Sequence, residues 1–563
     1  MKGKDSMPKY SMPVGNTNFR EIRETGLYYV DKSMLIDQIV EQSKAKVTLF
    51  TRPRRFGKTL NMSMLQHFFD IREDSKALFE GLAITKKKEL CDNWMNQYPT
   101  ILVSFKAVDA ISYDYAEAQL KIVLADLFRD HIYLLQNADM NKNDAETIRR
   151  ITARKADMSD MMDSLSLLTR LLYHHYSKPV ILLIDEYDVP MVKGDANGYY
   201  REITNIMRSL YNKSLKDNPY IKLAVLTGCL RIAKESIFTG LNHLKNYSIL
   251  DYGFEEFFGF TESEVDRLLA DTGFTEYKEK VRQWYDGYRF GDTDIYCPWD
   301  VLNYVSDLQH KAGLEPKNYW ANTSSNDIIR KYLETNINPQ QDFETLLSGK
   351  CIKKTISDDI TYSELFTAED NFWSVLLMTG YLTAVPKEET DGNDDSGDDG
   401  IYLRLVNKEI KDLFSKTVAL WFKKKIITED RTELFKAIWN GDADIITDEL
   451  CGFLGDSISF YDYHELFYHA FLTGLLSGVE GVIVESNREV GTGRADVILQ
   501  YPRKGLVAIF EFKSAKSEES MNNKCDEALK QIETRKYSFP FRKRTVFKYG
   551  IAFFEKQCLV KKG

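Results

Sequence analysis

Four short apolar runs divide the first 230 residues, and they limit the fold more than any other feature. They are VTLF (47–50), ILVSF (101–105), VILLI (180–184) and LAVLT (223–227). Each run is continuous rather than alternating, and long stretches with helical periodicity separate them. This pattern is typical of parallel strands that are buried on both faces of a sheet. The sequence therefore predicts an α/β domain built on a parallel sheet.

Length and composition set further limits. A chain of 563 residues is too long for one hydrophobic core, so we expect two to four domains. The content of 43% hydrophobic and 28% charged residues is ordinary for a soluble globular protein. No apolar run approaches the roughly 18 residues of a membrane span, and the first residues lack the apolar stretch of a signal peptide. These observations predict a cytoplasmic protein with no membrane partner.

Cysteine spacing and net charge exclude other classes of site. The seven cysteines are scattered and never form C-x-x-C, so neither a disulfide framework nor a zinc site is indicated. The formal net charge of −9 offers no global attraction for nucleic acid. Binding to nucleic acid would need local basic patches, such as Lys423–Lys425 or Arg542–Arg544. Each patch is also compatible with a plain solvated surface.

A phosphate-binding loop is predicted in LFTRPRRFGKTLNM (49–62). The usual pattern is G-x-x-x-x-G-K-[ST], and counting back from Gly57, Lys58 and Thr59 places Arg52 at the first glycine. The loop follows the first predicted strand and enters a segment with helical periodicity. In that context backbone N–H groups and the positive helix end face the phosphates. Lys58 would reach the β- and γ-phosphates, and the Thr59 hydroxyl would hold Mg²⁺.

Acidic and polar residues follow two other predicted strands. In VILLIDEYD, Asp185 ends a strand and can bind Mg²⁺ directly or through water, with Glu186 beside it to polarise the attacking water. The alternative is a strand that ends in a solvated acidic turn. Thr227 ends the fourth strand and can sense the γ-phosphate. Arg231, just beyond it, can stabilise transition-state charge in this subunit or another.

The middle of the chain has a different character. From about residue 245 to 360, helical patterns and aromatic clusters favour a helical lid packed through aromatic side chains. The alternative is a surface that couples nucleotide state to a partner, with Asp286 and Arg289 as the residues to test. LLMTGYLTAV (376–385) and IYLRLVNKEI (401–410) are then predicted as two strands with an acidic, glycine-rich connector. This pair suggests a winged-helix-like module whose acidic tip argues against DNA contact.

A second constellation lies near the C-terminus. GRADVILQYPRKGLVAIFEFKSAK (493–516) predicts a hairpin, with Asp496 on its first strand and Glu511 and Lys513 on one face of its second. Charge on an otherwise apolar strand needs a reason, because burying it unpaired is costly. Two carboxylates can hold divalent ions, and a lysine can orient water and stabilise charge on phosphate. The preceding predicted helix offers Glu465 as a further metal-site acid.

These motifs carry a family resemblance. YYVDKSMLI, RPRRFGKTLNMSML, LLIDEYDVP, TGCLRIAKESIFTGLNHL and WYDGYRFG with IYCPWDVLNY look like the bacterial AAA-ATPase-like family with a C-terminal PD-(D/E)XK nuclease domain. Members typically read R-P-R-R-x-G-K-T, so the resemblance implies that Arg52 is the family form and that ATP binds. Arg52, Arg54 or Arg55 would add positive charge or close the site.

The resemblance also extends the list of expected site residues. The D-x(14)-E-x-K spacing is similar to the PD-(D/E)XK signature, with Ala495 in place of its proline, and the superfamily implies Gln531 on the following helix as a positioning residue. The expected metal ligands are Thr59, Asp185, Glu465, Asp496 and Glu511. The expected catalytic residues are Glu186, Glu465, Asp496, Glu511, Lys513 and Gln531. The expected nucleotide-binding residues are Arg54, Arg55, Phe56, Gly57, Lys58, Thr59, Leu60, Asp185, Thr227 and Arg231.

The predicted fold is an α/β P-loop NTPase sheet, a helical lid, a winged-helix-like middle and a C-terminal α/β restriction-endonuclease-like domain. The predicted boundaries are 1–245 for the AAA-like ATPase core, 246–360 for the lid, 361–425 for the winged-helix-like module with its acidic hairpin tip, and 426–563 for the PD-(D/E)XK nuclease-like domain.

The predicted function is a P-loop ATPase whose nucleotide state controls a nuclease that acts on nucleic acid, with DNA favoured over RNA by the habit of the superfamily. The cofactors are ATP and Mg²⁺, with Mn²⁺ as an alternative at the nuclease site. A rival hypothesis keeps the ATPase as a switch and makes the C-terminal domain a recognition module that does not cut. A homo-oligomer follows if Arg231 acts on a neighbouring copy, although a monomer also satisfies the motifs.

Overall fold

The structure of the chain is a computed structural model. It describes residues 10–43, 45–137, 140–230, 244–320, 340–357, 369–389, 400–415, 430–455, 465–477, 479, 481–490, 493–554 and 557–563.

The N-terminal sheet has five parallel strands in the order β2-β3-β4-β1-β5. In chain order, β1 to β5 are Val47–Thr51, Thr100–Ser104, Val180–Asp185, Ile221–Gly228 and Leu244–Tyr247. The four apolar runs of the sequence form β1 to β4, so the predicted parallel α/β sheet is confirmed. The sequence did not predict the edge strand β5, because its LKNY segment is short and largely polar.

Ten helices accompany this sheet within the described residues. In chain order, α1 to α10 are Phe19–Glu24, Met34–Asp37, Lys58–Phe69, Lys76–Phe79, Lys88–Trp94, Tyr113–Asp130, Lys142–Thr152, Met158–Tyr176, Val189–Ala196 and Tyr200–Leu215. Helices α3, α6 and α8 pack directly against the sheet. Helix α3 enters from the predicted phosphate loop and buries Met64 and Phe68, so the predicted strand, loop and helix order is confirmed.

Aromatic side chains hold together the region after β5. Helices α11 to α13 are Glu262–Thr272, Lys278–Tyr285 and Pro298–His310, and the short antiparallel strands β6 and β7 are Tyr288–Phe290 and Thr293–Ile295. Their common core includes Tyr285, Tyr304 and Tyr319, together with Tyr28 from the N-terminal segment. The predicted aromatic packing of the lid is confirmed, and β6 and β7 add a hairpin to its helices.

The predicted wing is partly confirmed. Strand β8 is Ile352–Lys354, and β9 and β10, Leu382–Val385 and Ile401–Leu405, pair antiparallel as expected. The prediction of strand from residue 376 was wrong, because residues 376–379 complete a helix over Glu369–Thr379. The prediction of strand up to residue 410 was also wrong, because the chain is helical from residue 408. The acidic tip, residues 390–399, lies outside the described residues.

The C-terminal sheet is mixed, in the order β11-β12-β13-β14-β15. These strands are Ile483–Val490, Gly493–Tyr501, Leu506–Ser514, Thr545–Phe554 and Gln557–Lys562, and only β13 and β14 pair parallel. Helices α14 to α19 are Gln340–Leu347, Glu369–Thr379, Thr432–Asn440, Ala443–Gly455, Glu465–Leu476 and Met521–Thr534. Helices α16 to α18 cover one face of the sheet, where Tyr468 stacks on Phe553, and α19 covers the other. An α/β C-terminal domain is confirmed.

Short turns of other helix types complete the described elements. A π-helical turn spans Gln38–Ser43, and 3-10 turns span Ala83–Lys86, Ile132–Gln136, Glu255–Phe257, Thr275–Tyr277, Lys387–Glu389, Pro502–Lys504, Glu518–Ser520 and Phe539–Phe541. The chain divides into two compact units. One is Met1–Ser324 with Lys353–Ile410, and the other is Ser325–Ile352 with Lys411–Gly563.

Candidate functional site

The loop between β1 and α3 is shaped to hold an anion. Strand β1 ends at Thr51, and α3 begins at Lys58. Within the loop Arg55 and Gly57 have left-handed φ angles of 73° and 82°. Alternation of right- and left-handed residues turns successive N–H groups into one concavity, and the N-terminus of α3 adds its positive dipole. The FGKT segment therefore forms a backbone cradle of the kind that suits an anion such as phosphate.

Lys58 lies inside this loop. Its side chain is buried, and Nζ donates to the carbonyl oxygens of Arg52 at 3.1 Å and Pro53 at 3.0 Å. Burial lowers the pKa of Lys58, but charged neighbours that include Glu186 and Asp188 outweigh it and raise the pKa overall. The ammonium group is therefore charged and held by contacts within the loop itself.

Arg52 does not serve the phosphates. Its side chain is fully buried, and Nη1 donates to the carbonyl oxygens of Thr51 at 3.0 Å and Tyr247 at 2.8 Å. The guanidinium lies 5.3 Å from the ring centre of Phe258 and 5.1 Å from that of Phe290. Burial lowers the pKa of Arg52 to about 10. The expectation that Arg52 itself lines or closes the phosphate site is corrected: it fastens β1 to β5.

The next two arginines serve different neighbours. Burial lowers the pKa of Arg54, but Cys229, Asp188 and Glu186 outweigh it, so Arg54 faces the acids that follow β3. The guanidinium of Arg55 stacks 4.1 Å from the ring centre of Trp299 in the lid. Only Arg54 is thus directed toward the predicted chemistry of the loop.

The Asp185 carboxylate accepts hydrogen bonds from the hydroxyl groups of two predicted site residues. Thr59 donates to its Oδ2 at 2.9 Å, and Thr227 donates to its Oδ1 at 2.6 Å. Strand β4 lies between β1 and β3, so Thr227 at the end of β4 and Thr59 in the helix that follows β1 both lie beside this carboxylate. Burial raises the pKa of Asp185. The structure therefore places Thr59, Asp185 and Thr227 in one cluster beside the loop.

Glu186 follows in a strained backbone conformation. Its φ of 52° lies in the left-handed region, which costs a residue with a Cβ about 1 kcal/mol. Such strain persists where surrounding structure fixes it, often at functional positions. Glu186 is half-buried at the end of β3, next to Asp185.

Asp188 is a part of this cluster that the sequence analysis did not select. Its buried Oδ2 accepts the backbone N–H groups of Cys229 at 2.8 Å and Leu230 at 3.0 Å. The Tyr187 hydroxyl donates to the Leu230 carbonyl at 2.6 Å. The sequence feature that points to Asp188 is its position as the last acid of the DEYD motif. Asp188 anchors the segment that leads into Arg231, which lies outside the described residues.

A small apolar cavity adjoins the loop. It has a volume of about 70 Å³ and is lined by side chains that include Tyr28, Val30, Leu60, Phe260 and Leu302. It therefore lies between the N-terminal segment, helix α3 and the lid. The predicted residue Leu60 contributes to it, whereas the role of the YYVDK segment was not predicted.

Two contacts connect the lid to the segments that line this cavity. Lys32 is buried, and its Nζ donates to both carboxylate oxygens of Glu264 on α11, at 2.6 and 2.7 Å. Phe56 is also buried and packs on Tyr288, with ring centres 4.8 Å apart. The Phe56 side chain thus joins the loop to the lid, which leaves only its backbone for the phosphates.

The C-terminal constellation converges on β12, β13 and α19. Asp496 Oδ2 accepts the Phe512 N–H at 3.0 Å, and Lys513 Nζ donates to Glu511 Oε1 at 3.3 Å. Gln531, on α19, donates to the same Glu511 oxygen. Glu511 is 1% exposed, and its Oε2 has no hydrogen-bond partner within the described residues. The structure thus brings together Asp496, Glu511, Lys513 and Gln531.

Glu465 is the remaining predicted acid. It is the first residue of α18, but its side chain lies outside the described part of the structure. In the part that is described, no group of three or more His, Cys, Asp or Glu side chains is arranged to hold a metal ion. The inclusion of Glu465 in the C-terminal constellation stays a prediction.

Two protein families match the regions of the chain that contain the two constellations. Residues 13–238 match the family described as predicted AAA-ATPase, and residues 463–563 match the PD-(D/E)XK nuclease superfamily. The chain joins an AAA-ATPase-like domain to a PD-(D/E)XK nuclease superfamily domain. It is also 24% identical, over 96% of its length and 95% of the relative's, to an uncharacterized protein in the vnfD 5′ region of Azotobacter chroococcum mcd 1.

The residues of the PD-(D/E)XK domain fit a divalent cation. Burial, with a smaller contribution from the neighbouring Asp496 charge, raises the pKa of Glu511 to about 7, while Lys513 opposes the rise. A buried carboxylate with an unpaired oxygen beside a second carboxylate is the donor set that a hard cation prefers. Asp496 and Glu511 would hold the ion here. In the AAA-ATPase-like domain, the Asp185 carboxylate and the Thr59 hydroxyl are the oxygen donors that would hold a cation.

The basic patches and the membrane prediction have different outcomes. Within the described residues, no helix is long and apolar enough to cross a membrane. Residues 423–425 lie outside the described part of the chain. Arg542–Arg544 lie in the PD-(D/E)XK domain, directly before β14, and all three side chains are exposed.

Proposed function

We propose that this protein binds and hydrolyses ATP, and that its nucleotide state controls a metal-dependent phosphodiesterase that acts on nucleic acid, with DNA as the favoured substrate. The AAA-ATPase-like and PD-(D/E)XK domains support an ATPase and a nuclease-like function. Control of one by the other, and the DNA substrate, are the parts that we add.

The ATPase half assigns a role to each clustered residue. The loop N–H groups and Lys58 bind the phosphates, and Thr59 and Asp185 hold Mg²⁺. Glu186 orients the attacking water, and Thr227, bonded to Asp185, senses the γ-phosphate. The apolar cavity beside Leu60 adjoins Gly57 of the loop, but its volume of about 70 Å³ is too small to enclose a nucleoside.

The nuclease half uses the residues around Glu511. Asp496 and Glu511 would hold a divalent cation, which supplies charge neutralisation and an activated water when bound. Lys513 donates to developing charge on the phosphate, and Gln531 fixes the Glu511 carboxylate through its hydrogen bond. Glu465 is proposed as a further ligand on the basis of the family resemblance.

One observation carries this proposal. Glu511 is almost completely buried in an apolar sheet, yet one of its carboxylate oxygens has no partner among the described residues. A buried carboxylate with one oxygen left without a hydrogen bond costs free energy even when Lys513 pairs with the other oxygen, so a sequence that served structure alone would gain by replacing it. The convergence of Asp496, Lys513 and Gln531 on this group supports a catalytic role.

The test is cleavage of linear, circular and single-stranded DNA and of RNA in Mg²⁺ or Mn²⁺. We expect wild-type protein to cut and Asp496→Asn to lose at least about 10²-fold in rate, because one ligand charge is removed. ATP turnover should be unchanged in Asp496→Asn. The control is Asp526→Asn, which changes an exposed acid in the same domain. Equal cutting by wild type and Asp496→Asn would contradict the assignment.

The rival function is a nucleotide-dependent switch with a non-cutting recognition domain. The convergence of Asp496, Glu511 and Lys513 on one site counts against this rival. The rival predicts intact ATP turnover and no cutting under any condition, and it predicts that nucleic acid or another partner binds without being changed.

A further inference from the structure

The segment between α19 and β14 is unusually basic. Residues 535–544, RKYSFPFRKR, carry five cations and no acid in a chain whose net charge is −9. We call this segment the basic loop. The side chains of all five cations are exposed. The exposed cations are Arg535, Lys536, Arg542, Lys543 and Arg544. Two acids at the borders of the loop, Glu485 and Glu533, are each paired with a cation outside it.

The aromatic residues of the basic loop alternate between core and solvent. Tyr537 and Phe541 are buried in the core of the domain and anchor the loop. Phe539, between them, is 59% exposed. The Arg542 guanidinium lies 4.8 Å from the Phe539 ring centre, and residues 539–544 line an open hollow of about 390 Å³. Tyr537 and Phe541 thus anchor the loop so that the Phe539 ring faces solvent, with the Arg542 guanidinium beside the ring.

One end of the basic loop reaches the Glu511 constellation. The Tyr537 hydroxyl donates to the Arg494 carbonyl at 2.8 Å and lies 3.4 Å from Gln531 Nε2, and Gln531 contacts Glu511. The other end enters β14 at Thr545, which pairs with Leu506. Leu506 precedes Glu511 on the same strand by a length of about 16 Å. A duplex that ran along β13 from Glu511 would thus reach this end of the basic loop after about five base-pair steps.

We propose that the basic loop is a nucleic-acid contact surface, in which Arg542 and Lys543 bind backbone phosphates and Phe539 stacks on an unpaired base. Phosphates complement its charge, and a base provides the flat partner that an exposed aromatic ring with a stacked guanidinium can accept. The inference rests on the proposed function, because it assigns the substrate of the same domain.

The experiment measures equilibrium binding of a fluorescently labelled DNA single strand and of its duplex to the full chain in EDTA, where metal-dependent cutting cannot occur. Arg542→Gln with Lys543→Gln removes two phosphate contacts and leaves Arg544, which is bonded to Gln500. Lys86→Gln with Lys88→Gln is the matched control, because both lysines are exposed on the other unit. Phe539→Ala tests stacking, with Tyr115→Ala as its control, since Tyr115 is 62% exposed.

Two results are expected. The loop pair should weaken binding of both probes and should lower the slope of log K against log salt by about 1.4 for the single strand, from two contacts at about 0.7 each. Phe539→Ala should weaken single-strand binding by about 5- to 150-fold, the loss of one base stack, with less effect on the duplex and on the salt slope. The control variants should match wild type.

Three results would overturn the inference. These are wild-type affinity and salt slope in the loop pair, an equal loss in the Lys86 and Lys88 pair, or displacement of the DNA by polyglutamate at equal charge concentration. The last result would assign the surface to polyanions in general, acidic proteins included.

Cleavage measured on the same variants separates this inference from the proposed function. Loop-dependent binding without cutting by wild type would support the basic loop and reject the nuclease. Cutting with unchanged binding in all loop variants would support the nuclease and reject the basic loop.

Discussion

At the scale of single residues, the phosphate loop keeps its shape although an arginine occupies a position where glycine is usual. Arg52 stands where the first glycine is usual, yet its guanidinium is buried between Phe258 and Phe290 and bonded to the Tyr247 carbonyl. The cradle is built further on, by the left-handed residues Arg55 and Gly57. Sequence reasoning could locate the cradle, but the burial of Arg52 depends on residues about 200 positions away.

Glu186 is the residue that we expect to control ATP hydrolysis. Glu186→Gln keeps the size and hydrogen-bonding capacity of the side chain but removes its charge, so ATP binding should persist. Hydrolysis should slow by about 10²- to 10⁴-fold, as for loss of a general base. Phosphate release measures the rate, and Glu80→Gln, an exposed acid of the same domain, is the control. Wild-type turnover in Glu186→Gln would assign the water to another group.

His131 provides a test of pH-dependent stability. It is 3% exposed, and burial, aided by the nearby Arg72, lowers its pKa to about 3. The folded state therefore keeps this histidine neutral, whereas the unfolded chain takes up a proton below about pH 6.5. The free energy of unfolding should fall as pH drops from about 6 to 4, by up to about 1.4 kcal/mol per pH unit from this group.

Denaturant unfolding across that pH range measures the effect. His131→Gln cannot take up the proton, so its unfolding free energy should fall less steeply with pH than that of wild type. His310→Gln, which changes an exposed histidine, should keep the wild-type slope. Equal slopes for wild type and His131→Gln would show that His131 is not held neutral.

At the scale of elements, the lid and the phosphate loop meet at a glycine. Gly259 has a φ of 97°, and a Cβ there would lie 2.2 Å from Ile295 and 3.0 Å from the Phe56 ring. Gly259→Ala should therefore strain the backbone and also push Phe56, at the base of the loop. Gly81→Ala shares the strain, with a φ of 79°, but meets no atom within 4 Å.

We expect Gly259→Ala to lose about 1–3 kcal/mol more unfolding free energy than Gly81→Ala, which is the usual cost of overpacking. We also expect it to weaken ATP binding, because Phe56 lies directly before Gly57. Thermal unfolding and nucleotide titration of both variants give the comparison. Equal losses in the two would mean that the lid does not press on the loop.

The elements also show where sequence patterns suffice. Buried parallel strands were predictable because each is a continuous apolar run between helices, and their shared carboxyl ends explain why Thr59, Asp185 and Thr227 meet. The segment 376–385 is apolar throughout, so its pattern could not separate helix from strand. Gly380, with a φ of 89°, ends the helix there, and the strand begins only at Leu382.

The C-terminal constellation was predictable to a similar degree. The alternation of β13 places Glu511 and Lys513 on one face, and Gln531 of α19, expected from the family resemblance, donates to the Glu511 carboxylate. Asp188 was harder to assign, because its role depends on the turn that brings Cys229 and Leu230 back to β3. A three-residue spacing from Asp185 could suggest proximity but not these backbone partners.

At the scale of the whole molecule, the loop constellation and the Glu511 constellation lie in two compact units of one chain. The fold class and both domain types were predictable, because each domain has its own motif in its own structural context. The domain boundaries stay a prediction, as does control of one site by the other. Such control requires that the nuclease differ in rate between nucleotide states of the ATPase.

The most direct test of that control is the DNA cleavage rate without nucleotide and with saturating ATP. It should be measured for wild type, for Glu186→Gln and for Lys58→Ala, which removes the buried ammonium from the phosphate loop and should abolish ATP binding. We predict that ATP changes the cleavage rate of wild type. In Glu186→Gln, which should hydrolyse ATP slowly, the changed rate should last longer. In Lys58→Ala, ATP should leave the cleavage rate unchanged. A cleavage rate that is the same in all three proteins with and without ATP would contradict the account.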